Sequence, residues 1–241
     1  MSSAICLLEQ TLPSLAENLA LDEALLDEAE AGGPEVLRLW EWPAPAVVLG
    51  AGCRRADDIH LDACEADGVP VGRRSSGGGT VLLGAGCLLY SLILRFDRDP
   101  ALNDLHASYR FILGNIQRAL EPFISPITLE GHSDLAYAGR KFSGNAQQRK
   151  RSHLLHHGSL LYAFDFTPMH RYLKMPQRQP TYRREREHTD FLTNVPIPIT
   201  SLRKLLCENL TFGKNLRDEM NRSVAKLVED KFGRREWIQR R

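Results

Sequence analysis

Apolar residues recur at helical spacing in two long windows. Leu15, Leu19, Leu25, Leu26 and Ala29 supply one buried side of a segment running to Glu30. Ser14 and Glu17 stand three apart at its start, the pattern in which each side chain takes the other residue's backbone N–H. Gly32-Gly33-Pro34 ends it. Leu105, Tyr109, Ile112, Ile116 and Leu120 fall at i, i+4, i+7, i+11 and i+15, an amphipathic helix with a wide apolar face. Apolar runs bounded by turn residues predict strands at Val36–Trp42, Ala46–Leu49, Cys87–Leu94 and His153–Phe164. Leu135–Tyr137, then Ala138-Gly139, then Lys141 onward reads as a hairpin. Asp57 or Asp58 is placed to cap a helix through Leu61 and Cys64 to Gly68. Met169–Leu173 reads as a short helix, and Gln177–Glu187, with Arg178, Arg183, Arg184 and Arg186, as a polar loop. Thr200 or Ser201 opens a helix to Leu210, and Leu216–Phe232 predicts a last, charged one. Clustered strands with helices between them predict an α+β (mixed α/β) fold, and no linker divides residues 1–241 into more than a single domain.

Composition narrows the function classes. With 241 residues, 43% apolar and 25% charged, the chain is long enough to bury a core without staples. Lys plus Arg number 31 against 30 Asp plus Glu, so the basic excess that holds nucleic acid is missing. The five cysteines, at 6, 53, 64, 87 and 207, include no C-x-x-C pair, which argues against a disulfide framework or a zinc site and for a reducing compartment. No apolar run approaches the roughly 18–20 residues of a membrane span, and the N-terminal stretch lacks a basic n-region. A cytoplasmic protein with no membrane and no nucleic-acid partner is the expectation.

Three segments carry candidate chemistry, and the common nucleotide and hydrolase motifs (G-x-x-x-x-G-K-[ST], G-x-G-x-x-G after a strand, G-x-S-x-G, H-E-x-x-H) are absent. The first segment is Arg73-Arg74-Ser75-Ser76-Gly77-Gly78-Gly79-Thr80. Three glycines let the backbone approach a ligand and present N–H groups to an anion, and arginine offers a fork to phosphate or carboxylate. A solvated turn is the plainer alternative. The second is Gly139-Arg140-Lys141-Phe142-Ser143-Gly144-Asn145-Ala146, where an ammonium stands among small residues instead of on an ordinary solvated strand edge. The third is His156-His157-Gly158-Ser159 inside an apolar strand, where a satisfied core histidine is favoured over a metal ligand because no Cys, Asp or Glu completes a set.

Taken in order, RRSSGGGTV, SDLAYAGRKFSGNAQ and HHGSLL resemble the lipoate–protein ligase family, within the wider group of biotin/lipoate ligases and octanoyltransferases. NLALDEALL, VVLG and the stretch Arg186–Phe191 match its flanks, so the resemblance covers about Leu15 to Val195. It implies a central mixed β-sheet flanked by helices. It also implies activation of lipoate, or octanoate, by ATP with Mg²⁺ to an acyl-adenylate, and transfer to a lysine of a lipoyl-domain acceptor, such as a 2-oxoacid dehydrogenase E2 or a glycine cleavage H protein. Lys141 matches the family's essential lysine. Arg73, Ser75, Gly77, Gly78 and Gly79 match the loop lining the acyl and adenylate pocket. Asp134, Ser143, Gly144, Ala146 and His157 fall at its other binding positions, and no metal ligand is implied. Leu83 stands where the family usually has a histidine. Ser201–Arg241 leaves room for two helices but no full accessory domain, which points to a separate accessory chain or a variant that does without one.

Two rivals follow from the same resemblance. An octanoyltransferase works through a cysteine thioester, but neither Gly131-His132-Ser133-Asp134 nor His153-Leu154-Leu155-His156, where such nucleophiles stand, holds a cysteine. A non-enzymatic lipoyl-adenylate-binding subunit would have little reason to keep Lys141 with Ser143-Gly144-Asn145-Ala146 around it. The glycine loop is expected to be mobile when empty and to order on an adenylate.

Overall fold

The computed structural model describes residues 5–208 and 220–240. Ten strands run β1 Cys6–Glu9, β2 Val36–Glu41, β3 Ala46–Leu49, β4 Val71–Arg73, β5 Val81–Leu83, β6 Cys87–Arg95, β7 Ile127–Glu130, β8 Asp134–Tyr137, β9 Arg140–Arg149 and β10 His153–Leu161. The α-helices among the described residues are α1 Leu15–Glu30, α2 Arg55–Asp58, α3 Leu61–Ala66, α4 Leu105–Leu120, α5 Met169–Tyr172, α6 His188–Phe191, α7 Ile199–Cys207, α8 Asn221–Leu227 and α9 Arg235–Gln239. A seven-stranded sheet has the order β1-β2-β6-β10-β9-β8-β7, and a three-stranded sheet the order β4-β3-β5. β1 runs parallel to β2 and β4 parallel to β3; the other pairs are antiparallel. The fold is therefore the mixed α+β arrangement that the sequence predicts.

The period of two along β6 sorts its side chains between two cores. Leu88, Tyr90 and Leu94 meet Ile112, Leu113, Ile116 and Leu120 of α4 on one face. Cys87, Leu89 and Ile93 meet α1 and the small sheet on the other. α1 begins with the reciprocal Ser14–Glu17 capping box. It is buried on more than its apolar stripe: Asn18, Asp22 and Glu23 lie inside as well. Arg38 of β2 takes up that polarity, donating to Asp22 Oδ1 at 2.7 Å and to Asn18 Oδ1 at 2.6 Å.

Several elements differ from expectation. β1, β5 and β7 hold three or four residues each, too short for periodicity to declare them. Asp57 and Asp58 belong to the single turn α2, and α3 starts after His60; Asp58 instead accepts from Thr80 at the end of the glycine run. α7 starts at Ile199 behind Pro198, a residue before the expected hydroxyl caps. The predicted ends at Leu210 and Leu216 lie outside the described residues.

Candidate active site

A cleft of about 890 Å³ opens between the small sheet, α1 and the β8–β9 hairpin. Lys141 reaches it because the hairpin is bulged. Asp134 pairs with Gly144 and Leu135 with Ser143, but Ala136 pairs with Lys141, so Phe142 is an extra residue. Three positions apart on a regular strand, Lys141 and Gly144 would face opposite sides. The bulge turns both to the cleft and sends Phe142 into the core. The turn itself uses left-handed backbone at Ala138 and Gly139.

The ammonium is held from two sides. Lys141 Nζ lies 2.8 Å from Asp134 Oδ1. A Cβ on Gly144 would stand 2.6 Å from that same Nζ, so the lysine occupies the space that glycine leaves. Asp134 Oδ2 accepts from the Tyr182 phenol at 2.8 Å. Burial, reinforced by this carboxylate, pushes the Tyr182 hydroxyl pKa well up, so it stays a donor. Asn145 spans the hairpin's base, donating to the Ser133 carbonyl at 2.7 Å and accepting from Tyr90, over Gly158, whose missing side chain makes room for it.

The opposite wall is the glycine loop. Arg74 grips it from inside, donating to the carbonyls of Gly77 at 2.7 Å and Gly79 at 2.8 Å and to Ser76 Oγ at 3.0 Å. Burial lowers the Arg74 pKa to about 10, still well above neutrality. With those carbonyls committed to Arg74, the N–H groups of Gly77, Gly78 and Gly79 have no hydrogen-bond partner among the described residues. They are the donors an anion would take. Gly78 has φ +85° and Arg74 Nη2 2.9 Å from where a Cβ would lie, so this position needs glycine. Arg74 thus holds the loop through its carbonyls.

Between the two walls stands His157. Its Nδ1 lies 3.2 Å from Asp22 Oδ2 and its Nε2 2.6 Å from Ser76 Oγ. Burial works to raise the Asp22 carboxyl pKa, yet Arg38, His157 and Ser91 together hold it below the ordinary carboxylate value. The ionised Asp22 thus faces Nδ1 as an acceptor, and Ser76 Oγ faces Nε2. The neighbouring His156 points into the core, where burial, with His157 adding to it, holds its pKa down to about 3; it is a neutral core histidine.

Of the residues singled out in the sequence, Lys141, Asp134, Gly144, Ala146, Gly78, Gly79 and His157 line the cleft. Arg73, Ser75, Gly77 and Ser143 do not line it. Arg73 is fully buried and donates to the carbonyls of Gly50 and Cys53, both at 2.8 Å. Ser75 points to Glu23 and Lys231. Ser143 is buried behind Asn145. The reason is alternation: Arg73 and Arg74 leave the end of β4 on opposite sides, and the cleft takes Arg74. No cysteine lines the cleft among the described residues. Cys87 is buried, and that burial, with Glu41 adding to it, pushes its thiol pKa up to about 12. Cys53 stands behind the loop, 3.4 Å from the Gly78 carbonyl.

Residues 14–217 match the family described as the lipoyl protein ligase A/B catalytic domain. The chain belongs to that family. Among its relatives, a probable lipoate-protein ligase A of Mycoplasma pneumoniae is 33% identical over 159 residues, 66% of this chain and 45% of its own length. The chain thus spans about half of that relative. An octanoyltransferase LipM of Carboxydothermus hydrogenoformans is 28% identical over 254 residues, covering 92% of this chain and 94% of its own. A bipartite lipoate protein ligase of Thermoplasma acidophilum, described with its E2 lipoyl domain, has a TM-score of 0.85 at 20% identity and covers 99% of this chain and 97% of that one, a likeness of fold. Relatives of this chain are named both as ligases and as octanoyltransferases, so membership in the family does not choose between the two.

Three cleft residues of this lipoyl ligase/transferase domain were not legible beforehand. Arg74 adjoins Arg73 in the motif, and only the end of β4 tells their directions apart. Asp22 sits in a helix that reads as apolar. Tyr182 lies in the polar loop, where only its position among the arginines set it apart.

Proposed function

We propose that this protein is a lipoate–protein ligase. It activates lipoate, or octanoate, with ATP and passes the acyl group to a lysine of a lipoyl-domain acceptor. The observation that carries this reading is the pairing of a cation with free amide donors across a cleft with no thiol among its described lining residues. Lys141, held by Asp134, faces Gly78 and Gly79 across the same cavity. Joining a carboxylate to an α-phosphate concentrates negative charge, and an ammonium fixed in place stabilises it without reorganising. The loop N–H groups hold the phosphate end, and Leu19, Trp40, Val48, Leu83 and Leu89 give the acyl chain an apolar wall. In the second step the same ammonium polarises the acyl carbonyl towards the incoming amine.

No group of three or more His, Cys, Asp or Glu side chains converges to hold a metal among the described residues. A Mg²⁺ ion enters with the ATP phosphates, whose oxygens are among its usual ligands. A lipoate-protein ligase A bound with ATP shares the fold at a TM-score of 0.82, as does a Thermoplasma protein with bound lipoic acid. The bipartite Thermoplasma relative makes a separate accessory chain the corresponding expectation for this protein.

The near-full-length match to LipM favours a second reading, transfer of octanoyl from a carrier-protein thioester. A thioester relay needs a reactive cysteine in the cleft, and the cleft-lining residues include none. Release of pyrophosphate from ATP separates the two readings. A ligase releases it only when lipoate or octanoate is present. Octanoyl transfer without ATP, and no carboxylate-dependent pyrophosphate, would favour the transferase.

A further inference from the structure

The glycine loop has no side chains of its own from Gly77 to Gly79, so its place is set from its root. That root is held by a distant part of the chain. α8 lies against α1 and continues through a π-helical turn, Val228–Phe232, towards α9. From this segment Lys231 Nζ reaches Glu23 Oε2 at 2.7 Å and donates to Ser75 Oγ at 2.8 Å, while Ser75 itself bonds to Glu23. Arg73 donates to the carbonyls of Trp237 and Ile238, both at 3.1 Å, and Trp237 Nε1 returns a bond to the Arg73 carbonyl at 2.8 Å. The Trp237 ring has Lys231 Nζ 4.4 Å from its centroid, which fixes the lysine over it.

We propose that Lys231 and Trp237 are positioning residues for the cleft. They act through Ser75 and Arg73, on either side of Arg74, the residue that grips the loop carbonyls. A shift at either anchor moves Arg74 and, with it, the N–H groups of Gly77–Gly79. Two residues that sequence reasoning gives to the substrate, Arg73 and Ser75, thereby become the link between the C-terminal segment and the loop. The kinetic part of this proposal rests on the ligase reading; the structural part does not.

The test compares Lys231→Met, Lys231→Arg and Trp237→Phe in the full chain. Trp237→Phe keeps an aromatic ring near Lys231 and removes the N–H donated to Arg73 together with part of the indole. Hydrogen exchange is read at the bonded amides that fix the loop, Arg74 (to the Leu49 carbonyl) and Ala51 (to the Ser76 carbonyl), and, as a control, over β6 and β10. Lys231→Met and Trp237→Phe should each speed exchange at these amides by about tenfold and leave β6 and β10 unchanged. With an active ligase, both should raise the KM for ATP by about tenfold and leave kcat within about threefold, the signature of a misplaced binding wall. Lys231→Arg, which keeps the ion pair and the donor, should restore both readouts. Exchange at these amides within twofold of wild type in both damaging variants would overturn the proposal, as would faster exchange spread equally over β6 and β10. If wild type shows no lipoate-dependent pyrophosphate release, the ligase reading fails while the exchange result still decides this one.

Discussion

The β8–β9 hairpin and the glycine loop face each other across one cleft and build their halves of it in opposite ways. The hairpin works through side chains: a bulge turns Lys141 to the cleft, Asp134 holds it, and Gly144 makes room. The loop works through backbone. Its neighbouring side chains, Arg73, Ser75 and Ser76, are turned into the protein, and Arg74 spends its guanidinium on the loop's own carbonyls. A motif that looks like two arginines offered to an anion is thus a scaffold that frees amide donors. The lesson is that the same word in a sequence, a charged residue beside glycines, means a cation turned to the cleft in one wall and loop support in the other.

The sharpest way to break this comparison is Lys141→Met, which keeps the stem and removes the charge. Loss of a contact made in the transition state should cost about 3 kcal/mol or more, over a hundredfold in acyl transfer, with the fold intact by circular dichroism. Transfer within tenfold of wild type would remove the hairpin's half of the account. Gly144→Ala asks whether placement of the charge matters as much as its presence. The new Cβ would stand 2.6 Å from Nζ and 2.7 Å from Cε, the far end of a flexible side chain, so stability should barely change. The ammonium must move aside, and misplacement on the scale of an ångström costs up to about a hundredfold in kcat.

The loop should respond less steeply and unevenly. Gly78→Val puts a β-branched residue at φ +85° against Arg74. It should weaken binding of a non-hydrolysable lipoyl-adenylate analogue by about tenfold, measured by calorimetry, and cost about 1–3 kcal/mol of stability. Gly77→Ala is the internal control: its Cβ meets nothing within 4 Å, and affinity should stay within about twofold. Equal losses at both positions would mean that the run needs flexibility, not one left-handed residue.

Much of the scaffold was legible because its signals are local and redundant. The capping box and apolar stripe give α1, the i, i+4, i+7 series gives α4, and Ala138-Gly139 gives the hairpin turn. The bulge was not legible, since Phe142 reads as an ordinary strand residue until its partner strand is known. Nor was the direction of Arg73, which depends on where β4 ends, or the buried Arg38–Asp22–His157 line, whose members come from three elements. Long-range pairing decides these features, and a motif fixes only which residues stand near one another.

The central claim is that this cleft joins a free carboxylic acid to an acceptor lysine at the expense of ATP and without a thiol intermediate. Intact-mass measurement of enzyme and a lipoyl-domain acceptor tests it directly, with lipoate, ATP and Mg²⁺ in one arm and octanoyl carrier protein without ATP in the other. The account predicts a lipoyl mass on the acceptor in the first arm only, no acyl adduct on the enzyme's cysteines, and the same outcome when Cys53 or Cys87 is replaced by Ser. An octanoyl thioester on the enzyme in the second arm, with an unmodified acceptor in the first, would contradict it.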